Sequence, residues 1–295
     1  MSERALRVAV VGASAGLGRC IGIGLAAKGA SVAFLARRLD RLTNAAKEAG
    51  NGAAAVPCDV TDAASCQSAV AEVIGQFGGL DAVVYTTGMG ILAPLSDVTG
   101  EQWANLFATN VTGASLITAA AAPHLAATGG TAVYLSSLSA SYSTPWPLLG
   151  AYAVTKAALD KLVEAWRIEH PNIGFTRLAV GDSFGGAGDS QTEFNKNWDP
   201  KALDTAIRFW MENGFMQGGL VDADHLRARR ARGKQHRTAR GDVHRLQPDP
   251  QVRHRDVHRP RHRGHGQQPR FRLLPVQRPG PGGAGGADTG AALPD

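Results

Sequence analysis

The sequence predicts an α/β protein: a parallel sheet with helices packed on both faces. Three observations predict it. Stretches of strand and helix character alternate from residue 7 to about residue 180, the pattern of linked βα units. The strand stretches are continuous apolar runs, as expected of strands covered on both sides. The first strand also leads through a glycine-rich turn into a helix, an arrangement that points backbone N–H groups at an anion.

The elements follow in order. RVAVVG, residues 7–12, is the first strand. ASAGLGRCIGIGLAAKG continues as a turn and a helix over 17–28, closed by Gly29. Further strands are expected at 31–36, 53–58, 81–86, 131–136 and 174–180, and further helices at 40–49, 63–77, 101–126 and 152–170. Asp62 stands where it can cap the third helix. After Gly181 the pattern loosens. GDSFGGAGDSQTEF carries Gly185, Gly186 and Gly188 and reads as a mobile loop. DTAIRFWMENGFMQGG then sets Ile207, Trp210 and Met211 at helical spacing, with Phe215 and Met216 beyond.

Two clusters carry chemistry. The first is the glycine turn, Gly12, Gly16 and Gly18, spaced G-x-x-x-G-x-G. Glycine removes the Cβ that would block a pyrophosphate, and the helix N-terminus favours its charge. Ser14 adds a hydroxyl donor. The second strand ends in Ala36, Arg37 and Arg38. An acidic residue there would suit the ribose 2′-OH of NAD, whereas arginine suits the 2′-phosphate of NADP. NADP is therefore favoured over NAD, with Arg37, nearer the strand end, preferred to Arg38. The second cluster is Tyr152 and Lys156 in AYAVTKAALDKLVEAW. Four residues apart, they share a helix face. A neighbouring cation favours the phenolate, so the tyrosine pKa is expected to fall from about 10 towards neutrality and the group to trade protons at working pH.

With these motifs in hand, the chain resembles the short-chain dehydrogenase/reductase family in its short single-domain branch. The resemblance rests on GASAGLG (residues 12–18), Asp59-Val60, Gly88, Asn110, Ser137, Tyr152 and Lys156, which occur in the family's order between residue 7 and about residue 181. It implies a doubly wound parallel sheet, Rossmann-like, with the cofactor across its carboxyl edge. It also implies roles. Tyr152 would be the general acid in ketone reduction and the base in alcohol oxidation. Lys156 would hold the nicotinamide ribose and depress the Tyr152 pKa. Ser137 would hold the substrate oxygen, and Asn110 would anchor a water relaying protons to Lys156. Asp59 would contact the adenine amine with the Val60 backbone beside it. Gly12, Ser14, Ala15, Gly16, Leu17, Gly18, Gly88 and Gly181 would lie against the cofactor.

The chain departs from the family in places. The usual Asn-Asn-Ala-Gly after the fourth strand stands here as Tyr85-Thr86-Thr87-Gly88, a change expected to bear on local stability more than on catalysis. The Ser137–Tyr152 gap is about two residues longer than the family's commonest. Ser139 would restore that gap but lies past the strand end, so Ser137 is preferred. A Pro-Gly pair usual after the sixth strand is Val180-Gly181. In the family, the segment over about 183–219 is a lid on the substrate. Trp146, Trp210, Phe215 and Met216 either line an apolar pocket there or pack the lid on the core. The first case would favour a hydrophobic carbonyl compound.

Composition divides the chain at about residue 225. Residues 225–295 hold 15 Arg and 1 Lys against 5 Asp, and seven of the nine His. Residues 1–224 hold 15 basic and 20 acidic residues, so the net charge of +6 and the sequence pI of about 9.5 come from the tail. Three readings of the tail compete: a disordered basic segment binding nucleic acid or an anionic surface, a histidine metal site, and an out-of-frame translation of GC-rich DNA. The Arg-to-Lys imbalance favours the last. No metal-ligand spacing is present, and nucleic acid is not an expected partner. No stretch after the lid reads as a good seventh strand, 251–257 being a poor candidate. An incomplete sheet edge and altered assembly of a homo-oligomer are therefore expected.

Residues 1–224 suffice for one α/β domain with a full core. Cys20, Cys58 and Cys66 make no disulfide framework, which fits a reducing cytoplasm. No run is apolar enough to span a membrane, and MSERALR leads straight into the first strand without a leader-like stretch. The expected function is an NADP(H)-dependent oxidoreductase acting on a carbonyl compound or secondary alcohol. Two alternatives stay open. A sugar-nucleotide epimerase or dehydratase shares the Tyr/Lys pair but not this glycine spacing. A non-catalytic dinucleotide-sensing regulator is left room by Tyr85-Thr86-Thr87.

Overall fold

The computed structural model describes residues 4–181, 183–216 and 221–222. Strands β1 (Arg7–Val11), β2 (Ser31–Ala36), β3 (Ala54–Pro57), β4 (Ala82–Tyr85), β5 (Thr131–Ser137) and β6 (Gly174–Val180) form one sheet in the order β3-β2-β1-β4-β5-β6. Every pairing in it is parallel. Period-two alternation sends neighbouring side chains to opposite faces. Val8 and Val10 of β1 join Phe34 in one apolar cluster with Ile23 of helix α1 (Gly16–Ala26) and Leu42 of α2 (Leu39–Ala49). Ala9 and Val11 join Leu35 in the other. That cluster is covered by Val70 of α3 (Ala63–Phe77), Ile117 of α5 (Gly113–Thr128) and Leu159 of α7 (Gly150–Glu169). The sheet is thus doubly wound, as expected. Asp62 caps α3 by accepting from the Ala64 N–H.

Strand order creates the crevice. From β1 the chain steps outward to β2 and β3; from β4 it steps the other way to β5 and β6. β1 and β4 are neighbours whose following loops diverge, so a gap opens at their carboxyl ends. The turns after β1, β2, β3, β4, β5 and β6 all open on this edge, and they carry most of the expected site residues.

The expected helix over 101–126 is interrupted. Helix α4 (Gly100–Phe107) begins with a capping box between Thr99 and Gln102. A π-helical turn over Ala108–Thr112 separates it from α5. Such turns hold an extra residue and re-aim side chains, often at functional sites. Here it carries Asn110. A short helix α6 (Leu138–Ser141) directly follows β5, capped by the Ser137 side chain.

The segment read as a mobile loop is tied down instead. Ser183–Gly185 forms β7, paired in parallel with β8 (Val221–Asp222). Gly185 bridges to Gln191, and Arg19 of α1 reaches the Ser190 hydroxyl at 3.0 Å. Helix α8 (Pro200–Glu212), capped by Asp199, follows. Its Trp210 is buried, packs against Trp146 with ring centres 5.0 Å apart and planes tilted by 49°, and donates to the Pro147 carbonyl. Among the described residues the main sheet has six strands, with β6 at its edge. The basic tail over 225–295 and the strand candidate at 251–257 lie outside the described residues.

Candidate active site

The glycine turn is dictated by close backbone approach. Gly12 has φ +86°, and a Cβ there would lie 2.7 Å from the Thr87 nitrogen. A Cβ on Gly18 would meet the Gly12 carbonyl oxygen at 2.5 Å. Only glycine lets β1, the start of α1 and the loop after β4 cross so tightly. The turn borders a cleft of about 1700 Å³. Ser14, Ala15, Gly16, Leu17, Arg37, Arg38, Asp59, Val60, Gly88 and Gly181 line it too, as do Ser137, Tyr152 and Lys156. Among the expected residues, Asn110 alone does not line it, because it lies fully buried behind the wall.

After β3, Asp59 accepts from the Thr61 backbone N–H at 3.0 Å and hydroxyl at 2.8 Å. These bonds, with a contribution from Arg37, hold its carboxyl below the usual range. Arg37 is exposed at the rim. Arg38 points inward and donates to the Ser14 hydroxyl at 2.7 Å. The two arginines therefore differ, and the inner one is Arg38.

Asn110 organises the wall. Its Oδ1 accepts from the Met89 N–H at 2.9 Å; its Nδ2 donates to the Met89 carbonyl at 2.9 Å and to the Thr155 hydroxyl at 2.8 Å. One amide thereby joins the π turn, the loop after β4 and α7. The side chain is a clamp whose donors are both spent. The departures in this loop are also accounted for. The Tyr85 hydroxyl donates to the Thr109 carbonyl of the same π turn, and Thr86 donates to the Val11 carbonyl. A Cβ on Gly113 would lie 2.8 Å from Val60 Cγ2 and 3.0 Å from the Tyr85 hydroxyl, so glycine there makes room for both side chains.

Tyr152 and Lys156 occupy one face of α7 with the lysine Nζ 5.7 Å from the tyrosine ring centre. Lys156 Nζ donates to the Leu135 carbonyl at 2.7 Å. Gly88 leaves space for it, since a Cβ there would be 3.4 Å from Nζ. The expected fall in the Tyr152 pKa is not what this arrangement produces. Burial pushes the phenol up to about 12, and the Ser137 side chain offsets only part of this. Burial likewise pushes Lys156 down to about 8, opposed by Asp160. A cation that is itself desolvated, and turned to a carbonyl, does little for the phenolate. Ser137 Oγ lies 2.9 Å from Ser139 Oγ and accepts from the Ser139 N–H. The two serines form one polar pair at the end of β5 rather than exclusive alternatives.

Residues 189–198, within the segment expected to be a lid, form a strap whose contacts sequence reasoning did not specify. The Gly16 N–H donates to the Gln191 carbonyl at 3.2 Å. Phe194 meets the Tyr152 ring edge-on at 4.8 Å and Trp198 at 5.2 Å. Trp198 donates to the Gly90 carbonyl at 2.9 Å. The one available signal was two aromatic residues four apart in the otherwise polar EFNKNW.

These features define a dinucleotide-binding α/β fold with a tyrosine–lysine pair at its switch point. The chain belongs to the short chain dehydrogenase family, whose model matches residues 7–181. It is 36% identical over 180 residues to 11-beta-hydroxysteroid dehydrogenase-like 3 of Arabidopsis thaliana, a match covering 59% of this chain and 58% of that protein. It is 32% identical over 156 residues to a sorbitol dehydrogenase of Cereibacter sphaeroides, covering 53% and 61%. The chain thus spans less than two thirds of the length of these curated relatives. Among solved structures it is similar to an alcohol dehydrogenase of the archaeon Thermococcus sibiricus complexed with 5-hydroxy-NADP, with a TM-score of 0.59 and 27% identity over 74% of this chain and 94% of the other. A short-chain dehydrogenase from Streptomyces avermitilis matches with a TM-score of 0.61 and 28% identity over 81% and 86%.

Two outcomes follow for stability. Asn110→Ala leaves the half-buried Met89 N–H and carbonyl without their side-chain partner and takes a donor from the Thr155 hydroxyl, which keeps its bond to the Tyr152 carbonyl. Chemical denaturation should therefore register a loss of about 1–3 kcal/mol. Lys156, with its pKa lowered from 10.5 to about 8, is protonated more readily when unfolded. Its contribution to stability therefore rises with pH between about 8 and 10.5. Unfolding of the wild type and Lys156→Met across that window should show the wild type gaining relative to the variant, by up to about 3 kcal/mol.

Proposed function

We propose that this protein is an NADP(H)-dependent oxidoreductase that interconverts a hydrophobic carbonyl compound and its secondary alcohol. The observation that carries this reading is the convergence of Ser137, Tyr152, Lys156 and the glycine turn on one cleft. The cleft also fits a dinucleotide. Its floor lacks the Cβ atoms that would obstruct a pyrophosphate, and the buried Ser136 hydroxyl on its wall has no partner.

The glycine turn and the Ser14 hydroxyl would hold the pyrophosphate, Asp59 and Val60 the adenine, and Arg38 with Arg37 the 2′-phosphate. Lys156 would hold the nicotinamide ribose. When bound, the nicotinamide supplies or takes the hydride. Ser137 would hold the substrate oxygen by hydrogen bonding. Tyr152, which keeps its proton at neutral pH, would give that proton to the oxygen as negative charge develops on it. In the reverse direction the phenolate would accept the alcohol proton, so alkaline solution favours oxidation. Asn110 would act as a positioning residue, keeping α7 in register with the loop after β4 rather than binding a water through its amide.

Trp146, Ile207, Trp210, Phe215 and Met216 line the opposite side of the cleft, which supports an apolar substrate. Trp210 serves both expected roles, since it lines the cleft and fastens α8. The buried cysteines Cys20, Cys58 and Cys66, none of them in a disulfide, fit a cytoplasmic setting. No helix among the described residues is long and apolar enough to cross a membrane. The proposed assembly is a homo-oligomer.

Tyr152→Phe should lower kcat for ketone reduction by about 10²–10⁴ while leaving NADPH binding nearly intact. Following NADPH consumption over a panel of apolar ketones, beside a fluorescence titration of the cofactor, checks both parts. A fully active variant would refute the assignment. Wild type should bind NADPH more tightly than NADH, and equal affinities would remove the NADP part of the reading.

A further inference from the structure

Glu193 lies where no acidic residue is needed for the fold. It sits on the strap, far in sequence from the second strand, yet its carboxylate is shared by two guanidinium groups. Arg38 Nη1 donates to one oxygen and Arg41 Nη1 lies 2.7 Å from the other. Arg38 also holds Ser14 through its other nitrogen. Both arginines belong to the first turn of α2, where the helix N-terminus adds to the positive field. Burial opposes ionisation of Glu193, but Arg38, Arg41 and Lys196 outweigh it and keep the carboxyl ionised below its usual range. The strap makes two further contacts with the cleft. The Gln191 carbonyl takes the Gly16 N–H, and Phe194 stands against Tyr152. The strap's own oxygens thus engage a backbone donor of the glycine turn and the charged donors after β2, while its aromatic ring covers the phenol.

We propose that Glu193 is a cofactor-discriminating residue: its carboxylate stands in for the cofactor's 2′-phosphate on Arg38 and Arg41 and so holds the strap over the cleft. This rests on the NADP reading above. A dinucleotide bearing a 2′-phosphate replaces Glu193 with a group of greater charge that accepts from guanidinium groups in the same way. A dinucleotide without it offers Arg38 and Arg41 nothing in exchange, so the Glu193 pairs and the strap stay in place. Exchange of Glu193 for phosphate also draws Phe194 away from Tyr152, so the adenosine end of the cofactor governs access to the proton donor at the other end. Arg41, which nothing in the sequence reading singled out, becomes part of the phosphate site.

Hydrogen exchange over residues 190–198 tests this on the full chain. Glu193→Gln is isosteric, and circular dichroism verifies its folding. In the variant without ligand, exchange over 190–198 should speed up by about tenfold or more relative to wild type. In wild type, saturating adenosine 2′,5′-bisphosphate should speed the same amides, whereas saturating adenosine 5′-diphosphate should not. Unchanged protection in folded Glu193→Gln overturns the proposal. So does a strap that stays protected when the 2′,5′-bisphosphate is bound, or one that both nucleotides release equally. A wild type and variant that bind neither NADPH nor the 2′,5′-bisphosphate sink the cofactor reading itself, and this inference with it.

Discussion

The site depends on one buried amide. Asn110 has no solvent to bond with, so its hydrogen-bonding capacity must be met by protein, and it is met by three bonds to two other segments. The requirement runs both ways. Met89 lies in a loop that makes no ladder bonds, and its backbone donor and acceptor both need partners once buried. Thr155 lies one residue before Lys156. Satisfying these groups together fixes the distance between the loop after β4 and the helix that carries the tyrosine and lysine. The π turn is what allows it. An uninterrupted helix over 101–126 would present a different face at position 110.

Burial, more than charge pairing, then sets the electrostatics. Tyrosine and lysine four residues apart on a helix would suggest an acidified phenol. In the folded chain both groups shift towards their neutral forms, since each loses solvent. The phenol keeps its proton at neutral pH, and the lysine is drawn close to its own titration range. A bound cofactor would bring polar groups and charge to a pair whose own interaction is weak.

Much of this was legible beforehand. The six strands fall within one or two residues of their expected positions, because apolar runs between glycine turns leave few other choices. All expected site residues but one line a single cleft, since motifs at strand ends converge wherever the sheet is parallel. What escaped notice was of another kind. The π turn depends on hydrogen bonds between distant segments, not on local periodicity, and ATNVT alone carries no mark of it. Glycines suggested mobility for residues 181–194, but Arg19, Gly16 and Arg38 grip the strap through contacts with long sequence separation. Lone charges such as Glu193 and Arg41 have no pattern until folding brings them together.

Tyr85 illustrates how a substitution becomes entrenched. Its ring fills space against Gly113, and its hydroxyl braces Thr109. A side chain at position 113 would meet Val60 as well as the phenol, while a shorter residue at 85 would strand a carbonyl and open a void. Positions 60, 85 and 113 are therefore coupled as a trio. Grafting a family-typical asparagine at 85 would not by itself admit a side chain at 113, because Val60 would still bar it.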